Sequence, residues 1–358
     1  ANATLATGMG QVIFEIAGGD FRLVNIKFGT LVDVRTPDSS KSRRAAAAGD
    51  QKQTRALFHV DWLTLEINRD GEILIIGKNV STSLTGDLDV HADVLLLIGT
   101  GAGNERIEGG VTVAELKVAD VTFRKLGAVF GAGRLNNQPI AYLGLKGEGS
   151  FSGGFTVGGA LLFGLINPQS KVLREIGFAD LLNSISANTG GSAAPPKTAF
   201  AGIYVVVYGD FPVYSNGCLL KVSAGVELRG WYFAPLGGGL PVWGGLLRGS
   251  VTGTAICLVH AKGELTLIIQ GVRPNAKSMG GQQCGKTEDN CTAFTGQLWA
   301  AAGLFFCEPE TWRGWDKRWW DDGGCWQAGA FVQLAYIDQP PQGKDQWAAK
   351  FEIDVEGP

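Results

Sequence analysis

Several short runs in this 358-residue chain place residue types at spacings that could do chemistry. Gly280-Gly281-Gln282-Gln283-Cys284-Gly285-Lys286-Thr287 matches G-x-x-x-x-G-K-[ST]. In that pattern backbone N–H groups cradle phosphate where a loop opens a helix. The required context is strand, loop, helix. Here the preceding strand-like run ends near Gln270, and Glu288-Asp289-Asn290-Cys291 starts no helix. The stretch therefore reads as a glycine-rich loop. Gly99-Thr100-Gly101-Ala102-Gly103 follows the apolar run Val94–Ile98 but leads into another strand-like segment, which makes it a turn and not a dinucleotide fingerprint.

Asp87, Asp89, His91 and Asp93 alternate and so share one face of a strand. Carboxylates with an imidazole can bind Ca²⁺, Mn²⁺ or Zn²⁺, but neighbours two apart are about 7 Å from each other. A site would need help from His59 and Asp61. The simpler reading is a solvated face opposite Leu84, Leu88, Val90, Ala92 and Val94, and no metal or other cofactor is expected. The histidines are His59, His91 and His260, and no G-x-S-x-G elbow is present, so nucleophilic catalysis has no local signature. Paired carboxylates of a glycan-active hydrolase meet only in the fold.

The six cysteines, Cys218, Cys257, Cys284, Cys291, Cys307 and Cys325, all lie in the C-terminal part of the chain. Their even number and clustering favour disulfides and an oxidising compartment. Cys284 and Cys291 could close a small ring, and Cys218 could pair with Cys257 or each could be a buried thiol. Cys307 and Cys325 would staple the neck of the loop between them. That loop holds Trp312, Arg313, Trp315, Arg318, Trp319 and Trp320, and Trp326 follows. Tryptophan interleaved with charge suits a sugar platform, a protein-interface hot spot or a membrane-interface belt. The competing arrangement packs the rings back onto the body with the arginines stacked on them. This is the stretch expected to touch a partner, and the Trp231–Trp243 connection suits the same rim.

The elements that would position these residues are mostly strands. From Ile140 to Leu165 one parity carries Leu143, Leu145, Phe151, Val157 and Phe163, while the other carries Lys146, Glu148, Ser150 and Thr156. That alternation predicts a strand pair with its apolar phase buried. Cys218–Tyr232 behaves alike. Leu247–Ile269 keeps one phase too long for a single strand, so a three-residue turn at Ala261-Lys262-Gly263 is expected, with His260 opposite Glu264. Ala199–Tyr208 and Leu298–Phe306 are apolar on both parities and read as strands covered on both faces. One helix is expected at about 168–186, capped by Asn167 with Pro168 at its first position. Residues 188–197 then form a Gly/Pro linker between an N-terminal region, 1–187, and a disulfide-bearing region, 198–358, with one continuous domain as the alternative.

Composition sets the outer bounds. Acidic residues number 34 against 31 basic ones, for a net charge of −3, which disfavours nucleic acid as a partner. Hydrophobic residues make up 45%, too many for a disordered chain with so little net charge. No apolar run reaches the roughly 18–20 residues of a spanning helix. The start at Ala1-Asn2-Ala3 is compatible with a processed N-terminus. The expected fold is mainly β: long antiparallel amphipathic hairpins in a large curved sheet, sandwich or barrel, with one helix. The expected role is a non-enzymatic, secreted or cell-envelope structural or binding subunit in an assembly with other protein subunits, with glycan or lipid contact at the tryptophan loop. An outer-membrane-type barrel or pore is the alternative, and a secreted hydrolase the second.

Overall fold

The alternation of apolar and polar or small residues produces strands almost throughout. The computed structural model describes residues 2–6, 10–17, 20–35, 56–68, 71–85, 88–188, 194–217, 219–256, 258–304, 327–338, 340–341 and 347–356. Its strands are β1 (Asn2–Ala6), β2 (Gly10–Ala17), β3 (Asp20–Arg35), β4 (Ala56–Asn68), β5 (Glu72–Thr85), β6 (Leu88–Gly99), β7 (Arg106–Val118), β8 (Val121–Leu135), β9 (Gln138–Phe151) and β10 (Thr156–Ile166). Two short helices follow, α1 (Lys171–Glu175) and α2 (Phe178–Asn188). The chain then continues through β11 (Phe200–Asn216), β12 (Leu220–Pro235), β13 (Val242–Ala255), β14 (Val259–Val272), β15 (Cys291–Leu304), β16 (Gln327–Ile337) and β17 (Trp347–Glu356). The fold is mainly β and antiparallel.

The chain divides into two units, one comprising Ala1–Gly147 with Ser170–Ile176, the other Glu148–Gln169 with Gly177–Pro358. In the first unit β1 and β2 both lie along β3, Asn2 opposite Arg35 and Gly10 opposite Phe28, and so act as one interrupted strand. From β3 to β9 each strand then pairs with the next. The second unit repeats this up-and-down order from β10 to β17. Short reversals make that order possible, as at Asn136 and Asn137, whose positive φ angles of 54° and 61° suit a two-residue hairpin.

Burial reverses an expectation. On β9 it is Ile140 and Tyr142 that are buried, while Leu143 and Leu145 are exposed. Phe163 on β10 is exposed as well, beside the fully buried Leu162. The apolar phase of Ile140–Leu165 is thus the outward one. Ala199–Tyr208 is not covered on both faces either: Tyr204 and Val206 are buried, whereas Ile203, Val205 and Val207 are exposed. Likewise Trp299 is buried and Leu298 exposed.

Two local expectations also shift. The turn between β13 and β14 lies at residues 256–258, with Ala255 opposite Val259, and Lys262 is a buried mid-strand residue opposite Thr252. The expected helix is two helices. Ser170, not Asn167, caps the first by accepting from the Leu173 N–H at 3.2 Å. Asn167 instead accepts from the Gln169 N–H. Gly177, at φ 79°, separates α1 from α2; that conformation is cheap only for glycine.

Candidate functional site

The register of the second unit fixes which side chains share a face. One outward row runs Val207, Leu228, Leu247, Leu267, Gly296, Leu334 across β11–β16. The next runs Val226, Gly249, Leu265, Leu298, Val332, Phe351. Neither contains a polar side chain. Along β14 the outward positions from Val259 to Gly271 are Ala261, Gly263, Leu265, Leu267 and Ile269. Those twelve steps span about 40 Å of strand, or roughly 30 Å at the usual tilt of a membrane strand. Toward the Gly271 end the rows become aromatic. Tyr232 pairs with Trp243, and Tyr336 with Trp347 at a ring separation of 4.9 Å.

The opposite face of the same strands is polar at mid-height. Tyr208, Glu227, Arg248, Thr266, Gln297 and Gln333 occupy one register row, a residue per strand. Arg229 is ion-paired with Glu227, and Arg248 bridges Glu227 at 3.5 Å and Glu264 at 3.1 Å. Tyr208 donates to Glu148 at 3.0 Å. Lys262, nine-tenths buried, sits 5.7 Å from the Trp299 ring centroid, within cation–π range. A cavity of about 160 Å³ opens here between Tyr208, Asp210, Gly225, Glu227, Arg248 and Ser250.

In the first unit the inward face holds a buried ionic cluster. Arg106 donates from Nε to Glu108 at 2.7 Å and from Nη2 to Glu72 at 2.5 Å. Glu108 also accepts from the Tyr142 hydroxyl at 2.5 Å and from the Ser170 hydroxyl. Lys171 reaches Glu72 at 2.5 Å. The segment carrying α1 is therefore bound to the polar wall by its first two residues, Ser170 and Lys171. Its last contact is apolar: Ile176 lies where a Cβ on Gly110 would stand 2.6 Å from its Cγ1. At the adjoining turn, the backbone N–H groups of Glu105 itself and of Gly103 hold the Glu105 carboxyl below its usual range.

The second unit folds a loop onto its inward face as well. Cys284 and Cys291 are joined in a disulfide that is buried with Val272, Ala293 and Ile337. Gln282 donates to the Ala335 carbonyl and Gln333 to that of Gly280, each at 3.3 Å. No helix follows the phosphate-loop-like pattern, and Lys286 is engaged by Asp338 and the Asn290 carbonyl, both at 3.1 Å.

The other candidates stand as follows. His91 contacts the Asn79 amide oxygen at 2.8 Å, and Asp93 accepts from Lys78 at 2.7 Å and from the Asn79 N–H at 2.9 Å. Asp61 binds His59 at 2.8 Å and also Asn79. Asp87 and the side chain of Asp89 lie outside the described residues. Among the described residues no three His, Cys, Asp or Glu side chains converge as a metal site. Trp312, Arg313, Trp315, Arg318, Trp319, Trp320 and Trp326, with Cys218, Cys257, Cys307 and Cys325, also lie outside them. Sequence reasoning missed the inward polar row. Its signal was a lone polar residue beside a large apolar one in mid-strand, as in Gln297-Leu298 and Gln333-Leu334.

No family model matches the chain, and no curated protein matches it. Among solved structures it is similar to the loop L8 deletion mutant of OmpT, an outer membrane protein of Vibrio cholerae, at 9% identity and a TM-score of 0.29, covering 98% of this chain and 97% of that one. It is also similar to in-vitro folded OmpT from the same organism in its trimer form, at 9% identity and a TM-score of 0.28, covering 94% of this chain and 89% of that one. A further structure of in-vitro folded OmpT matches at 8% identity and a TM-score of 0.30, covering 98% and 95% of the two chains.

Proposed function

We propose that this chain is an outer-membrane-type β-barrel, with its apolar face toward lipid and its polar face toward an enclosed lumen. The observation that carries the proposal is the inverted burial. Arg106, Glu108, Lys262, Gln297 and Gln333 are buried, while Ile107, Leu145, Leu228, Leu298 and Val332 are exposed. A water-soluble sheet has no reason to bury charge on its strands and leave a charge-free apolar face uncovered. Alternation of apolar-out with polar-in, and an aromatic edge to the apolar band, are what a spanning strand requires. A closed barrel would also remove the unpaired edges that an open meander leaves. The role is non-enzymatic and belongs to a cell envelope, and the tryptophan loop is its contact for protein, glycan or lipid.

The test is extraction and electrophoresis. The folded chain is expected to need detergent and to migrate differently in SDS before and after boiling. A monodisperse monomer stable in buffer without detergent would contradict the proposal. A water-soluble oligomer would instead give the apolar face to protein neighbours, as in a structural assembly.

A further inference from the structure

Asp210, Gly225 and Ser250 stand opposite one another on β11, β12 and β13, two residues along from Tyr208, Glu227 and Arg248. Together they line the cavity of about 160 Å³ on the polar face. The glycine keeps it open: a Cβ there would stand 2.7 Å from Ser250 Oγ and 2.8 Å from Asp210 Oδ1. The carboxylate and the hydroxyl therefore flank one gap, and a single donor above Gly225 reaches both. A ligand can enter, since Asp210 is exposed and Gly225 and Ser250 are half-buried.

Charge around the cavity is uncompensated at one position. Arg248 is shared between Glu227 and Glu264, and Arg229 is ion-paired with Glu227. Among the described residues no cation pairs with Asp210, and no side chain hydrogen-bonds to Ser250. The Tyr208 hydroxyl directs its one proton to Glu148 at 3.0 Å, so its oxygen can only accept from a ligand. The open groups are thus acceptors, one of them charged, and they call for a cation carrying N–H donors. Ca²⁺ takes about six to eight oxygens, more than Asp210, Ser250 and Tyr208 offer, whereas an ammonium group has three donors to place. We infer that this cavity binds the primary ammonium group of a small solute, with Asp210 as its counter-ion and Ser250 and Tyr208 as further acceptors. The inference rests on the reading of this face as a water-filled lumen.

The full chain in detergent micelles is titrated with ethylammonium and followed by saturation-transfer NMR on the ligand protons. Tetramethylammonium, of the same charge and without an N–H, is the comparison. The salt is about 0.1 M, where attraction beyond about 10 Å is screened. Saturable transfer to ethylammonium is expected with a dissociation constant of about 1 mM, the range open to so few atoms, and tetramethylammonium should bind about tenfold more weakly. Asp210→Asn is expected to weaken ethylammonium about tenfold or more, the loss of a charge-assisted hydrogen bond. Gly225→Ala, which fills the gap and leaves every charge in place, should weaken it as well. Both variants are checked for the unboiled gel shift, so that loss of binding is read only from folded protein. No saturable transfer in wild type, equal binding of tetramethylammonium, or wild-type affinity in either variant would overturn the inference. If the wild-type gel shift persists in that case, the barrel stands without the site; if it too is absent, the barrel itself fails.

Discussion

Arg106 and Ile107 are consecutive residues of β7, and it is the arginine that is buried, at 5% exposure, and the isoleucine that is exposed, at 44%. The same inversion recurs at Gln297-Leu298 and Gln333-Leu334. In water it would be doubly unfavourable, since a buried charge needs partners and an exposed apolar face gains nothing. With lipid outside and a polar lumen inside, both terms change sign.

Leu298→Arg separates these environments. On a lipid-facing strand it is expected to destabilise the chain by about 2–4 kcal/mol if it lies near the bilayer midplane. On a surface facing water the cost would be within about 0.5 kcal/mol. Equilibrium unfolding in phospholipid vesicles measures the difference, with Gln297→Arg as the inward control.

Glu108→Ala leaves Arg106 buried beside the single remaining carboxylate of Glu72, and removes the acceptor of Tyr142 and Ser170. A loss of about 3–5 kcal/mol is expected, as for other broken buried pairs. Tyr142→Phe, which removes one hydrogen bond to a charged group, should cost about 1.5–3 kcal/mol. Chemical denaturation of the two variants should preserve that order.

Gly110→Val places a branched side chain where Ile176 now packs. It is expected to undock α1 while the strands persist. Limited proteolysis should then cut between residues 167 and 188 faster than in wild type, with an unchanged β circular dichroism spectrum. Equal cleavage would show that α1 is held by its Ser170 and Lys171 contacts alone.

Replacing Cys284 and Cys291 together by alanine opens a loop of seven-residue separation. Loop-closure entropy sets the expected loss at about 2–3 kcal/mol. Thermal unfolding of the double variant should show a lower midpoint, with β content intact before the transition.

The β class, the long hairpins and the division of each strand into an apolar phase and a polar or small one were legible in the alternation. Which parity faces the interior was not. Leu143 and Leu145 share a phase whatever medium lies beyond the sheet, and a soluble protein would bury it; alternation carries no record of the solvent. The β13–β14 turn shows the same limit. Pairing His260 with Glu264 or Ala255 with Val259 leaves every residue on the same face, so the pattern cannot choose between them. Burial of Lys262 in mid-strand decides it. The helix start was misplaced because Asn167 and Pro168 form a strong local signal, whereas Ser170 is anchored by Glu108 and Tyr142, far away in sequence. The cavity between Asp210, Gly225 and Ser250 depends on strand register, which no single segment contains.

The most direct measurement is solid-state NMR of the protein in bilayers, with polarisation transferred separately from lipid acyl protons and from water. Leu265, Leu298 and Val332 are expected to receive signal from lipid, and Thr266, Gln297 and Gln333 from water. Lipid transfer to the glutamines, or none to Leu298 and Val332, would contradict the membrane-spanning account.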